Sequence, residues 1–123
     1  MDFIRFKEIN DQKLNYGELE NPSIISTYKN SGCGDDYKIF LKIDSENKIT
    51  EASYTTTGCG FSVAALSMTI DLIKNKTIDE AKKFTAKDVD KLFAFPERRK
   101  SYPETAISAL HKALDEFASG IPA

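Results

Sequence analysis

The chain has 123 residues, of which 41% are apolar and 29% charged, with a formal net charge of −2. That length and balance suit one soluble domain, here residues 1–123, with room for a true core. The weak acidity argues against a nucleic-acid partner, and no run is long and apolar enough for a helix to span a membrane.

Met1-Asp2-Phe3-Ile4-Arg5 lacks the apolar core of a secretory leader. A reducing cytoplasm is therefore the expected compartment, and this weakens the case for a structural disulfide between the two cysteines. Residues 2–13 place Phe3, Phe6 and Ile9 at a spacing that suits one face of a short helix. Leu14 to Pro22 reads as turn and loop. Ser23 to Tyr28, with Ile24, Ile25 and Thr27, reads as a first strand. Lys29-Asn30-Ser31-Gly32 then turns the chain into its most informative stretch.

That stretch begins Gly32-Cys33-Gly34-Asp35 and ends Gly58-Cys59-Gly60. Between the two brackets, Tyr37, Ile39, Leu41 and Ile43 alternate with other residues at the period of a half-buried strand. Ile49 to Thr57 is rich in β-branched residues, and Asp44 to Lys48 is a polar loop of hairpin length. A hairpin folded at Glu46 pairs Ile43 with Ile49, Tyr37 with Thr55, and Asp35 with Thr57, so both cysteines reach one edge of the sheet. The flanking glycines remove Cβ bulk and permit positive φ around each sulfur. Two thiolates and a carboxylate, from Cys33, Cys59 and Asp35, would suit zinc or iron and leave a position open. A disulfide, or two buried inert cysteines, is the alternative reading of the same pair.

After Cys59 the period changes to that of an amphipathic helix over Ser62–Lys74, with Phe61, Ala65, Met68 and Leu72 on one face. Met68 at this spacing reads as core rather than as a soft ligand. Thr77-Ile78-Asp79-Glu80 is a capping box that opens a short helix reaching Phe84. Thr85-Ala86-Lys87-Asp88 opens another, carrying Val89, Leu92 and Phe93. Phe95 to Lys100 is a break with a basic run, either a solvated loop or a wall beside an anionic site. Ser101-Tyr102-Pro103-Glu104 has the form of a further capping box. The last helix would run to Ser119, burying Ile107, Leu110, Leu114 and Phe117. Gly120 and Pro122 would stop it. His111, the single histidine, falls at the edge of that stripe and reads as a partly exposed surface residue.

Gly-Cys-Gly-Asp, two strands, Gly-Cys-Gly and an Ala/Ser-rich helix, in that order, resemble the IscU/NifU family of iron–sulfur cluster assembly scaffolds. The likeness extends to Asn15-Tyr16-Gly17-Glu18-Leu19 upstream, and to Ala64-Ala65-Leu66-Ser67 and Lys74 to Ala81 downstream. The resemblance implies a small α/β (α+β) domain, with helices packed on a three-stranded antiparallel sheet and a long C-terminal helix. It implies iron, or a transient Fe–S cluster of the 2Fe–2S type, held by Cys33, Asp35 and Cys59, with zinc able to occupy the same site. It implies a cysteine desulfurase and cluster-acceptor proteins as partners, and a homodimer as one way to complete the ligand set.

The family's third cysteine is missing. Ser101 stands in its place and Lys100 stands where many members carry histidine, so these two are candidates for a site wall or a substitute ligand. A serine hydroxyl is a poor ligand for a soft site, although it would keep the N-cap role. The alternatives are a degenerate module that docks on a desulfurase, and a persulfide carrier using Cys33 or Cys59. No phosphate loop, nucleophile elbow or paired histidine points to an enzyme.

Overall fold

The computed structural model describes residues 2–30 and 35–120. Ser31, Gly32, Cys33 and Gly34 lie outside the described residues, as do Met1 and Ile121 to Ala123. Three strands, β1 (Ile24–Asn30), β2 (Asp35–Ile43) and β3 (Ile49–Thr56), form an antiparallel sheet in the order β1-β2-β3. Helix α1 (Phe3–Gln12) precedes the sheet. The helices α2 (Gly60–Ile73), α3 (Ile78–Ala81), α4 (Ala86–Phe93) and α5 (Ser101–Ala118) follow it, with a 3₁₀ turn at Glu97–Arg99 leading into α5.

The strand register obeys the alternation of the sequence. Tyr37, Ile39 and Leu41 are fully buried on one face of β2 and join the main core. Phe40 is buried too, but outside that core cluster. The pairing departs from a uniform fold at Glu46 by one residue. Ile43 does meet Ile49, but a bulge between Lys42 and Ile43 shifts the rest, so that Tyr37 pairs with Thr56. The bulge absorbs the extra residue of β3. Asp36, rather than Asp35, therefore lies across from Thr57, whose N–H donates to the Asp36 carbonyl at 3.2 Å.

The outer side of β3 is met by the loop before β1. Gly17 N–H donates to the Tyr54 carbonyl at 2.8 Å, and Tyr54 N–H donates to the Asn15 carbonyl at 3.2 Å. The Tyr16 and Tyr54 rings meet edge to face, their centroids 5.3 Å apart.

Helix α2 is not the amphipathic surface helix expected from its spacing. Every residue from Ser62 to Ile70 is buried. The sheet, α1, α4 and α5 all pack against it, so from Ser62 to Ile70 it has no solvated face, and only its ends, as at Asp71, reach solvent. A helix apolar all round belongs inside the fold, and the small side chains of Ala64, Ala65 and Ser67 let its neighbours approach. Its buried hydroxyls are satisfied. Ser67 donates to the Leu14 carbonyl at 2.7 Å, Thr69 to the Ala65 carbonyl at 2.8 Å, and Ser62 shares a 2.7 Å hydrogen bond with the Tyr37 hydroxyl.

The capping box expected at Thr77 forms, and the helix expected to open at Thr85 begins with one as well. The box expected at Ser101 does not form. Lys100 already has helical backbone angles, so the chain enters α5 directly from the 3₁₀ turn and Ser101 is its first residue, exposed and without a capping bond. Helix α5 lies mainly over β1 and α2 and buries Ala106, Ile107, Leu110, Ala113 and Leu114. Phe117 is only partly buried at its end.

The start of α2 approaches α1 closely. A Cβ placed on Gly60 would lie 2.7 Å from Phe6 Cζ of α1 and 3.2 Å from Asn10 Oδ1. Gly60→Ala should therefore force α1 away and cost about 1–3 kcal/mol, read as a lower urea midpoint at unchanged slope.

Candidate metal centre at the start of α2

Cys59 occupies the N-cap position of α2, and its carbonyl accepts from Val63 N–H at 3.1 Å. The side chain is exposed and the thiol is free. The reading of Cys59 as a buried inert residue is thereby excluded. Cys33 lies outside the described residues.

Asp35 begins β2, and two threonines clamp the strand end beside it. Thr57 Oγ1 accepts from Asp36 N–H at 2.9 Å, and Thr56 Oγ1 donates to the Asp36 carbonyl at 2.8 Å. Thr56 Oγ1 also accepts from Gly58 N–H at 3.0 Å, which ties the turn after β3 to the same point. A Cβ on Gly58 would stand 3.3 Å from Asp35 Oδ2 and 2.4 Å from Ser62 Oγ. The Asp35 carboxylate thus lies against the segment that carries Cys59, in tight contact with the position a side chain at 58 would take, while Ser62 occupies that position itself. The positive-φ glycines among the described residues are Gly17 and Gly120. Gly58 and Gly60 therefore serve close approach, not the left-handed backbone expected from the sequence.

The sulfur sits among polar groups. Cys59 Sγ lies 3.3 Å from the Tyr102 hydroxyl oxygen. Partial burial pushes the thiol pKa up. The Tyr102 hydroxyl, the Ser62 and Phe61 backbone N–H groups and the Ser62 hydroxyl outweigh that, leaving it below the ordinary cysteine value. The two N–H groups do this without closing a capping bond of full geometry. They belong to the first turn of α2, where the helix favours negative charge. Behind them, burial pushes the Tyr37 phenol up to about 12, against the pull of its Ser62 hydrogen bond. The nearby Asp35, Tyr102 and Cys59 raise it further.

The basic run is exposed at Glu97, Arg98 and Arg99, and two of its cations are tied to neighbouring side chains. Lys100 Nζ bonds both carboxylate oxygens of Asp90 on α4, at 3.0 and 2.8 Å. The Arg99 guanidinium sits 5.1 Å from the centre of the Phe61 ring, a cation–π contact at the start of α2. Phe61 also meets Tyr102, with ring centroids 5.7 Å apart. Lys100 is thus committed to Asp90, while Ser101 is exposed with its carbonyl accepting from Thr105 Oγ1 at 3.0 Å.

The structure brings together Asp35 and Cys59, and adds Tyr102, Ser62 and Tyr37, which sequence reasoning passed over. Two of the three carried a signal. Tyr37 is two residues after Asp35, hence on the same strand face. Ser62 is three after Cys59, one helical turn on. Among the described residues no group of three or more His, Cys, Asp or Glu side chains forms a metal site. A thiol and a carboxylate at one helix start are nonetheless suitable donors for iron or zinc. His111 is far along α5, half-buried, with Nε2 making no hydrogen bond among the described residues.

A three-stranded antiparallel sheet with helices packed on it, and a thiol and a carboxylate near one sheet end, make a small α+β domain. The family described as the NifU-like N terminal domain matches residues 8–121, and the chain belongs to that family. The Archaeoglobus fulgidus iron-sulfur cluster assembly scaffold protein IscU 1 is 32% identical over 104 residues, covering 84% of this chain and 67% of the relative. Iron sulfur cluster assembly protein 1 of Encephalitozoon cuniculi is 34% identical over 85 residues, 69% of this chain and 61% of the relative. The chain thus matches about three-fifths to two-thirds of the length of these relatives. A NifU-like protein (N-terminal) of Brucella abortus shares the fold at a TM-score of 0.66 and 18% identity, covering 94% of this chain and 92% of that one.

The lowered thiol pKa carries a sign. On a Cys33→Ser chain, where Cys59 alone reports, iodoacetamide labelling should rise with pH through a midpoint below that of a free cysteine peptide. Tyr102→Phe should move that midpoint upward, since it removes a group that favours the thiolate.

Proposed function

We propose that this chain is an iron–sulfur cluster assembly scaffold, taking iron or a transient cluster as cargo on Cys33, Asp35 and Cys59. The observation that carries the reading is the Asp35 carboxylate lying over the Gly58–Cys59 segment, beside an exposed thiol with a lowered pKa. Membership of the family supports it, as do the names of the relatives from Archaeoglobus fulgidus and Encephalitozoon cuniculi. The chain holds and presents its cargo rather than turning over a substrate. Its partners are then proteins that deliver sulfur, such as a cysteine desulfurase, and proteins that receive the cluster. A second copy of the chain could complete the thiolate set. The cargo is of the 2Fe–2S type, with zinc a competitor for the same donors. Residues 1–123 act as one domain. No described helix is long and apolar enough to cross a membrane, and we place the protein in the cytoplasm.

Ser101 is left outside this ligand set, because its hydroxyl stays protonated near neutral pH and its side chain faces solvent. Lys100 contributes as wall, through its hold on Asp90.

Anaerobic incubation with ferrous iron, sulfide and a thiol reductant tests the proposal. A brown product with thiolate-to-iron absorption is expected, with most of the colour lost in Cys59→Ser. A colourless wild-type chain retaining no iron would defeat the reading.

The exposed, stabilised thiolate also suits a persulfide carrier, in which Cys59 takes sulfur from a desulfurase persulfide. Mass spectrometry after exposure to a desulfurase and cysteine should then find one added sulfur on Cys59. An unmodified Cys59 would exclude this second role.

A further inference from the structure

The hydroxyl oxygen of Tyr102 lies 3.3 Å from Cys59 Sγ, on the side of the site built by the start of α5. We propose that the phenol oxygen of Tyr102 is a metal ligand in this site, filling with oxygen the position left by the absent thiol. The inference rests on the reading that Cys59 and Asp35 hold a metal.

The geometry selects Tyr102 over its neighbour. Successive residues of an α-helix point roughly 100° apart, so Ser101 and Tyr102 cannot share one direction. The structure turns Ser101 to solvent and brings the Tyr102 oxygen to 3.3 Å from Cys59 Sγ. That distance lets both atoms bind one ion with only a small adjustment.

The ring is held where it is needed. It packs on Phe61, in the same first turn of α2 that follows Cys59. Phe61 is flanked by Arg99 and by Phe6 of α1, the latter with ring centroids 5.0 Å apart. The entry to α5 is fixed in turn by the Lys100–Asp90 ion pair. Tyr102 is thus positioned from both sides before any ion arrives, as a preorganised ligand should be.

The chemistry agrees. The phenol oxygen is a donor of a kind that zinc and iron accept. As a ligand it supplies an anionic oxygen, which a serine hydroxyl does not. Asp35, Cys59 and Tyr102 would give a mixed oxygen and sulfur set that suits zinc and iron.

Zinc is the probe, because it takes no part in thiol redox chemistry. Wild-type chain titrated with zinc alone, under argon, should develop the ultraviolet difference band of an ionised phenol ligand. Tyr102→Phe keeps the ring stacked on Phe61, and its folding is checked by circular dichroism. It should lose that band and bind zinc about tenfold more weakly, the loss expected for a tuned ligand-shell group. Ser101→Ala should bind as wild type.

Equal affinity in wild type and Tyr102→Phe, with no phenol band in either, would overturn the inference while leaving the scaffold reading intact. A larger loss in Ser101→Ala than in Tyr102→Phe would overturn it in favour of the serine. A wild-type chain that takes up no zinc overturns it as well, and the iron–sulfide reconstitution then decides the scaffold reading separately.

Discussion

The architecture depends on how closely the start of α2 approaches both the sheet and α1. Two glycines make that approach possible. At Gly60 the ring of Phe6 and the amide of Asn10 occupy the space of a side chain. At Gly58 the same space is taken by Ser62, with the Asp35 carboxylate in tight contact beside it. Cys59 lies between them, so the backbone on either side of the sulfur is gripped by packing while the sulfur itself faces solvent. Core packing and site geometry are settled by the same few ångströms.

Burial reinforces this arrangement. A helix enclosed from Ser62 to Ile70 cannot rock without opening cavities against the sheet, α4 and α5. Its first turn is therefore a fixed platform, and the partial positive charge of that turn is delivered to the sulfur at constant distance. The hydroxyl pair of Tyr37 and Ser62 lies behind the platform in the interior, where an unmade hydrogen bond would be costly. It links the strand that begins with Asp35 to the helix that begins after Cys59.

Most of the fold was legible in the residues because its elements obey local rules. The alternation of Tyr37, Ile39 and Leu41 and the caps at Thr77 and Thr85 point the same way as the tertiary structure. Two readings failed for lack of non-local information. Whether α2 has a wet face depends on α1 and α4, whose packing its own periodicity cannot report. The cap at Ser101 was lost because the preceding residues adopt helical angles of their own, so the chain arrives at Ser101 already wound. The one-residue bulge likewise hides in a strand rich in threonine, where neighbouring registers offer similar side chains. The nearness of Asp35 to the segment carrying Cys59 was legible from the glycine brackets. Tyr102 was not, because its direction is set by the rotation of α5 against Phe61.

The loop from Asn15 to Gly17 behaves as a surrogate strand. By taking the Tyr54 N–H and carbonyl for itself, it interrupts the outer border of β3 at that point and hinders pairing with an extended segment of another chain. Intermolecular strand addition, the usual route by which small open sheets aggregate, is thereby biased toward the β1 border. The exposed Cys59 thiol near one end of the sheet thus coexists with a partly closed long side.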